Sequence, residues 1–288
     1  MMTQNCLELR GVGKSYGSFA LRDVDLSVPK GCIMGLVGQN GAGKTTLLKL
    51  ILNLIARDSG EISVLGMDNR KEEMAIKQRL GVVMDESAFH DFLTPQKVSN
   101  IMAGIYPNWD EGQFAGYLQR FGLRPGDLIK NFSRGMKAKL SIAAALSHAP
   151  QLLLLDEPTS GLDPVVRDEI LDIFAEFIGD GEHSILISSH ITSDLERVAD
   201  YIALLDGGQL IFCEEKDALL YGYSVLKGTR EQLERLDRSE LIGLRETSFG
   251  FDALVERSEE NRRRFEGLVF DRCTLEEMVL YFIRGKKR

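Results

Sequence analysis

The sequence predicts an α/β fold, a mainly parallel β-sheet with helices on both faces. Three observations predict it. Strand-like apolar runs alternate with helix-like stretches between residues 151 and 205, the pattern of strand–helix–strand crossovers. A strand-like run at 32–37 passes through a glycine-rich bend into a stretch of helical spacing. The composition, 44% hydrophobic and 27% charged, can fill a core and excludes a disordered chain.

Residues 6–10 and 21–28 alternate apolar and polar around a Tyr16-Gly17-Ser18 turn and read as strands. Residues 32–37 are an apolar run closed by Gly38. Residues 44–57 carry Leu47, Leu48, Ile51, Leu54 and Ile55 at helical spacing. A strand at 61–65, a Gly66 turn, a charged helix at 71–78 and a strand at 80–84 follow. Residues 94–147 read as helical, with start signals at Thr94-Pro95, Asp110 and Ser133. Strands at 151–155, 183–188 and 201–205 then alternate with helices at 164–178 and 194–199. Asp206-Gly207-Gly208 is a hairpin turn into a strand at 209–213.

The composition shifts near 215–222. Residues 217–288 hold 14 Lys or Arg and 14 Asp or Glu, so the acidic excess lies before them. The expected division is 1–216 as one domain and 217–288 as a small α+β appendage ending in an amphipathic helix at 274–283. Arg262-Arg263-Arg264 reads as a solvated turn beside Glu259, Glu260 and Glu266, an anionic surface being the other reading.

Lys and Arg total 35 against 43 Asp and Glu, and the net charge of −8 argues against a nucleic-acid partner. The apolar run at 47–55 is far shorter than the ~20 residues that cross a bilayer. The first residues lack a basic segment followed by a long apolar one, so no signal peptide is expected. Cys6, Cys32, Cys213 and Cys273 form no CxxC pair and no metal spacing, which fits reduced thiols.

The strongest chemical signal is Gly38-Gln39-Asn40-Gly41-Ala42-Gly43-Lys44-Thr45, followed by Thr46. It fits GxxxxGK[ST] between a strand and a helix, the context a phosphate-binding loop requires. Glycines let successive N–H groups point at phosphates, and the helix N-terminus adds its dipole there. Lys44 is expected along the β- and γ-phosphates and Thr45 on Mg²⁺. A second signal is Asp156-Glu157 at the end of the apolar strand 151–155. A parallel strand beside that of the phosphate loop would deliver both carboxylates to one crevice. Asp156 is then expected to hold Mg²⁺ through water, and Glu157 to act as the general base.

These residues resemble the nucleotide-binding subunits of ABC transporters over roughly residues 6–213. Asn131-Phe132-Ser133-Arg134-Gly135-Met136-Lys137 resembles the LSGGQ signature that opens a helix. The resemblance implies a P-loop NTPase core with an antiparallel β subdomain and a helical subdomain at about 86–150. It implies that Ser133 and Gly135 face the γ-phosphate bound by an opposite subunit, although Ser133 also suits an ordinary N-cap. It places Tyr16 against adenine, Asp163 in the D-loop Ser160-Gly161-Leu162-Asp163, and His190 as the switch histidine. The chain departs from the family pattern at two places. Asp85 stands where Gln is usual and could bind Mg²⁺, and in the signature Arg134 stands where Gly is usual and Met136 where Gln is common. Together with Pro107-Asn108-Trp109 and Ser189-His190-Ile191-Thr192-Ser193-Asp194, they resemble the branch serving ABC-2-type exporters.

The resemblance therefore implies an ATPase subunit using ATP and Mg²⁺. It would sit on the cytoplasmic face of a membrane through a separate permease, docked near 85–94, and pair as a homodimer or heterodimer. A soluble ABC-type ATPase acting on nucleic acid or ribosomes, and a non-catalytic ATP-binding partner subunit, remain the alternatives.

Overall fold

The computed structural model of the chain describes residues 4–84 and 89–285. β1 (Asn5–Tyr16) and β2 (Phe19–Pro29) form a hairpin, and β3 (Ile33–Val37) leads to α1 (Lys44–Ile51). Next come β4 (Ser59–Val64), β5 (Met67–Asp68), α2 (Glu73–Lys77) and β6 (Leu80–Val83). Three helices, α3 (Pro95–Ile105), α4 (Glu111–Arg120) and α5 (Arg134–Leu146), precede β7 (Leu152–Asp156). They are followed by α6 (Pro164–Phe177), β8 (Ser184–Ser189), α7 (Thr192–Val198), β9 (Tyr201–Asp206) and β10 (Gln209–Glu215). The remaining elements are α8 (Lys216–Gly222), β11 (Tyr223–Gly228), α9 (Arg230–Glu234), β12 (Ile242–Glu246), β13 (Phe251–Glu256), α10 (Glu259–Arg264), β14 (Val269–Arg272) and α11 (Leu275–Gly285).

The site is built on a sheet of order β10-β9-β3-β8-β7-β6, parallel throughout except for β10. β3, β7 and β8 are buried along their whole length, as strands covered on both faces must be. Their side chains alternate between two cores. Ile33, Val37, Leu153, Leu155, Ile185 and Ile187 face one; Met34, Leu36, Leu152, Leu154 and Leu186 face the other. One expectation is corrected here. The Asp156 strand is not the neighbour of the phosphate-loop strand, because β8 lies between β3 and β7. Strand order depends on long-range crossovers that local pattern does not encode.

The antiparallel sheet β2-β1-β4-β5 covers the second core. α1 ends at Ile51, short of the expected residue 57. Asn53 takes φ +53°, and its N–H and that of Leu54 bond back to the carbonyls of Leu50 and Lys49. This is a Schellman stop, which leaves Leu54 outside the helix. The three expected starts in the helical region carry real caps. Thr94 Oγ1, Asp110 Oδ1 and Ser133 Oγ accept from the N–H groups of Lys97, Gln113 and Met136 at 3.3, 2.8 and 3.2 Å.

Beyond β10 lies an antiparallel sheet, β12-β13-β11-β14. One of its faces closes a small core around Leu226, Phe251, Val255 and Phe265. Val225, Leu254 and the buried side of α11 join the same core as Ile33 and Ile187. Arg262-Arg263-Arg264 is helical rather than a turn, lying in α10. Arg263 pairs with Glu259, and Arg264 with Glu240 and Glu260. All four cysteines are free thiols, and burial pushes Cys6 and Cys213 up to about 11.

Leu186 is fully buried on β8 in the centre of the sheet. Leu186→Ala is expected to cost ~2–5 kcal/mol through lost contact and a residual cavity, and urea denaturation measures it.

Candidate active site

The crevice forms where the carboxyl ends of β3, β7 and β8 meet. After Val37 the chain bends sharply, with Ala42 N–H donating to Gln39 O at 3.0 Å. Gly43 has φ +111°, and a Cβ there would lie 2.8 Å from both Leu21 and Phe19. Only glycine fits such a position. No side chain caps the start of α1, so its first N–H groups are left for an anion. Lys44 is nearly buried, at 6% exposure. Its Nζ donates to Gly38 O at 2.8 Å and lies 3.2 Å from Glu157 Oε1.

Two carboxylates, Asp156 and Glu157, stand at the end of β7, and the second of them meets Lys44. Asp156 is buried and accepts from Thr45 Oγ1 at 2.7 Å and from Ser188 Oγ at 2.5 Å. Glu157 takes φ +51°, an uncommon conformation for a residue with a side chain and one that costs ~1–3 kcal/mol. Its N–H donates to Ser188 O at 3.0 Å. Its Oε2 accepts from the His190 backbone N–H at 3.2 Å and from His190 Nδ1 at 2.6 Å. An ionised carboxylate only accepts, so the Nδ1 proton points at Glu157. His190 is 44% exposed, while Glu157 is 13% exposed. Glu157, mostly buried, therefore touches a lysine on one oxygen and a histidine on the other.

A family profile described as ABC transporter matches residues 21–160. The ABC transporter ATP-binding protein YtrB of Bacillus subtilis is 31% identical, across 98% of this chain and 99% of its own length. The lantibiotic transport ATP-binding protein SrtF of Streptococcus pyogenes is 36% identical, covering 73% of this chain and 91% of SrtF. The chain belongs to the ATP-binding subunits of ABC transporters. Among solved structures, one described as the ATP-binding subunit of an ABC transporter superposes with a TM-score of 0.68 at 28% identity. It covers 74% of this chain and 91% of its own. The chain is thus a P-loop α/β ATPase that powers transport.

In this ABC ATPase, Lys44, Thr45, Asp156, Glu157 and His190 come together as expected of one crevice. Gly38, Asn40, Gly41, Ala42, Gly43 and Thr46 follow the bend into α1. Tyr16 pairs across the first hairpin with Phe19, whose ring end abuts the Gly43 position. Asp163 is an N-cap, accepting from the N–H groups of Val165 and Val166 at 3.1 Å each. Ser133 and Gly135 lie at the start of α5 in the same subunit, where Ser133 is also a cap. Asp85 lies outside the described residues. Ser188 was not singled out in the sequence, and only the pairing of β7 with β8, which sets it opposite Asp156, reveals it. Likewise unforeseen, α11 forms one wall of a cavity of about 510 Å³ whose other walls include Gln39, Asn40 and His190.

The unusual Arg134 has a definite place. Gly161, at φ +67°, lies against it so closely that a Cβ would stand 2.6 Å from Arg134 Nη1. The start of α5 and the loop at Gly161 therefore touch through a guanidinium on a bare backbone. Gly161→Ala is expected to destabilise the chain by about 1–3 kcal/mol, from the positive φ. Adding Arg134→Gly should change that cost little, because the end of a flexible side chain can swing aside. Urea denaturation of the four proteins of that cycle measures the coupling.

Proposed function

We propose that this chain drives an ABC-2-type exporter as one of two ATPase subunits that close head to tail over two ATP molecules. The supporting observation is the contact of Glu157 with both Lys44 and His190 at the tips of three strands. In this reading residues 1–216 are the ATPase domain and 217–288 an accessory region. Exporter rather than importer follows the Arg134 and Asp85 variants and the likeness to a relative named for lantibiotic transport.

The binding step is an exchange of partners. Lys44 is satisfied by Gly38 O and Glu157. A triphosphate in the bend accepts from the loop N–H groups and from Lys44, drawing Nζ away from Glu157. The carboxylate then has an oxygen free for a water. His190 Nδ1–H keeps the other oxygen oriented. Glu157 takes a proton as water oxygen bonds to the γ-phosphorus. The bond to the bridging β–γ oxygen breaks, and ADP leaves with that electron pair.

The site suits Mg²⁺. The Thr45 hydroxyl and the Asp156 carboxylate are adjacent hard oxygen donors, and this ion usually takes one or two protein ligands with phosphates and waters. Thr45 and Asp156 would hold it, with Asp85 the third proposed ligand. When bound, the ion neutralises phosphate charge.

The second subunit would supply Ser133, Gly135 and the α5 N-terminus to the exposed side of the phosphates, and its Asp163 to the loop at Asn40. Tyr16 would face the base. We seat the permease on the edge beside α3. A largely apolar cavity of about 470 Å³ opens between β6 and α3, lined by Met84, Leu93, Ile101 and Ile105 among others. Phe92, Ile101 and Ile105 are exposed apolar side chains around this edge. No helix among the described residues is long and apolar enough to cross a membrane. We place the chain on the cytoplasmic face of a membrane through that seat.

Glu157→Gln is expected to keep ATP binding, lower phosphate release by at least ~10²-fold and accumulate as an ATP-bound dimer. Phosphate-release assays and size-exclusion chromatography read both, and normal turnover would overturn the assignment. Ile105→Asp should weaken co-purification with a membrane protein while calorimetry shows unchanged ATP affinity.

A further inference from the structure

Behind the Glu157–His190 contact lies a second polar cluster that takes no part in the chemistry above. Asp194, on α7, is 2% exposed. Thr159, equally buried, donates from Oγ1 to Asp194 Oδ2 at 2.6 Å. Arg167, on α6, donates from Nε to Asp194 Oδ1 and from Nη2 to Ser193 Oγ at 2.7 Å. A carboxylate this buried is tolerated only when paired and hydrogen-bonded, and this one is both.

The cluster joins three segments. Thr159 stands just beyond Glu157, Asp194 just beyond His190, and Arg167 on the helix that Asp163 caps. Two rungs therefore link the Glu157 loop to the His190 loop. The outer rung is Glu157 with His190, largely at the surface on the histidine side; the inner rung is Thr159 with Asp194, fully buried. Arg167 ties the inner rung to α6. Glu157 must give up Lys44 as nucleotide enters, so the geometry of the outer rung has to be held from elsewhere. Glu157 also sits in a strained backbone conformation, which persists only where the surroundings over-determine it.

We infer that Asp194, held by Thr159 and Arg167, is a positioning residue for the Glu157–His190 pair, fixing the aim of the base without touching nucleotide. The inference rests on Glu157 being that base. It predicts that loosening the inner rung slows the chemical step and leaves ATP binding, made by the phosphate loop, intact.

The test uses the full chain with Mg·ATP and four variants. Thr159→Val keeps volume and removes the hydroxyl, and Thr159→Ser keeps the hydroxyl. Arg167→Gln alters a partly exposed side chain and keeps the test open if Thr159→Val does not fold. Glu157→Gln reports on the base alone. The expected result is kcat lowered about ten- to a hundred-fold in Thr159→Val and Arg167→Gln, the worth of a hydrogen bond to a charged group. KM and calorimetric ATP affinity should stay within about twofold, and Thr159→Ser should restore turnover. Wild-type kcat in Thr159→Val and Arg167→Gln would overturn the inference, as would a parallel loss of ATP affinity or equal damage from Thr159→Ser. Normal turnover in Glu157→Gln would instead overturn the base, a result distinct from these.

Discussion

Parallel pairing in register is the constraint on which the site depends. Val37 lies opposite Ser189, and Asp156 opposite Ser188. Three strands thereby end at one level, and whatever follows each of them must share a crevice. β3 is followed by the glycine-rich bend, β7 by Glu157, and β8 by His190. The strands hold that level because nearly every side chain along them is buried, alternately above and below. A slip by one residue would turn each apolar set to the wrong core and move each of these side chains out of reach. Stability and chemistry are therefore two consequences of one register.

Within the crevice the decisive feature is competition for a few charges. Lys44 and Glu157 form a buried ion pair, and breaking such a pair by removing one member is costly because the other charge is stranded. In the proposed reading a triphosphate would remove that penalty by offering Lys44 a richer set of oxygens while His190 remains beside Glu157. Asp156 differs from its neighbour in having both oxygens engaged by hydroxyls, from Thr45 and Ser188. Glu157, next in the chain, instead meets Lys44 and His190, and its backbone is left-handed.

Much of this was legible in the sequence because the physics is local. The bend from Gly38 to Thr45 follows from glycine conformations next to a helix start. Thr94, Asp110 and Ser133 were readable as caps because a short polar side chain reaches only the N–H groups just ahead. Buried strands showed as apolar runs. What was not legible depends on contacts distant in sequence. The insertion of β8 between β3 and β7 hid Ser188, and with it the second hydroxyl on Asp156. The Thr159–Asp194 pair joins loops that only the sheet brings together. The early end of α1 was missed for a different reason. Leu54 and Ile55 keep helical spacing, yet Asn53 stops the helix through its own left-handed backbone.

The region after β10 shows why a shift in composition need not mark a mechanically separate body. Its sheet closes a small core of its own on one face, yet Leu275, Met278 and Ile283 of α11 enter the core that also holds Ile33, Ile187 and Leu204. The N–H of Leu275 donates to Glu196 on α7, the helix that carries Asp194. α11 also lines the cavity that Gln39, Asn40 and His190 share. Close packing transmits displacement, since an interior at crystal-like density has no slack to absorb it. α11 is therefore packed directly on α7, the helix that carries Asp194, and is no body apart from the sheet that ends at the crevice.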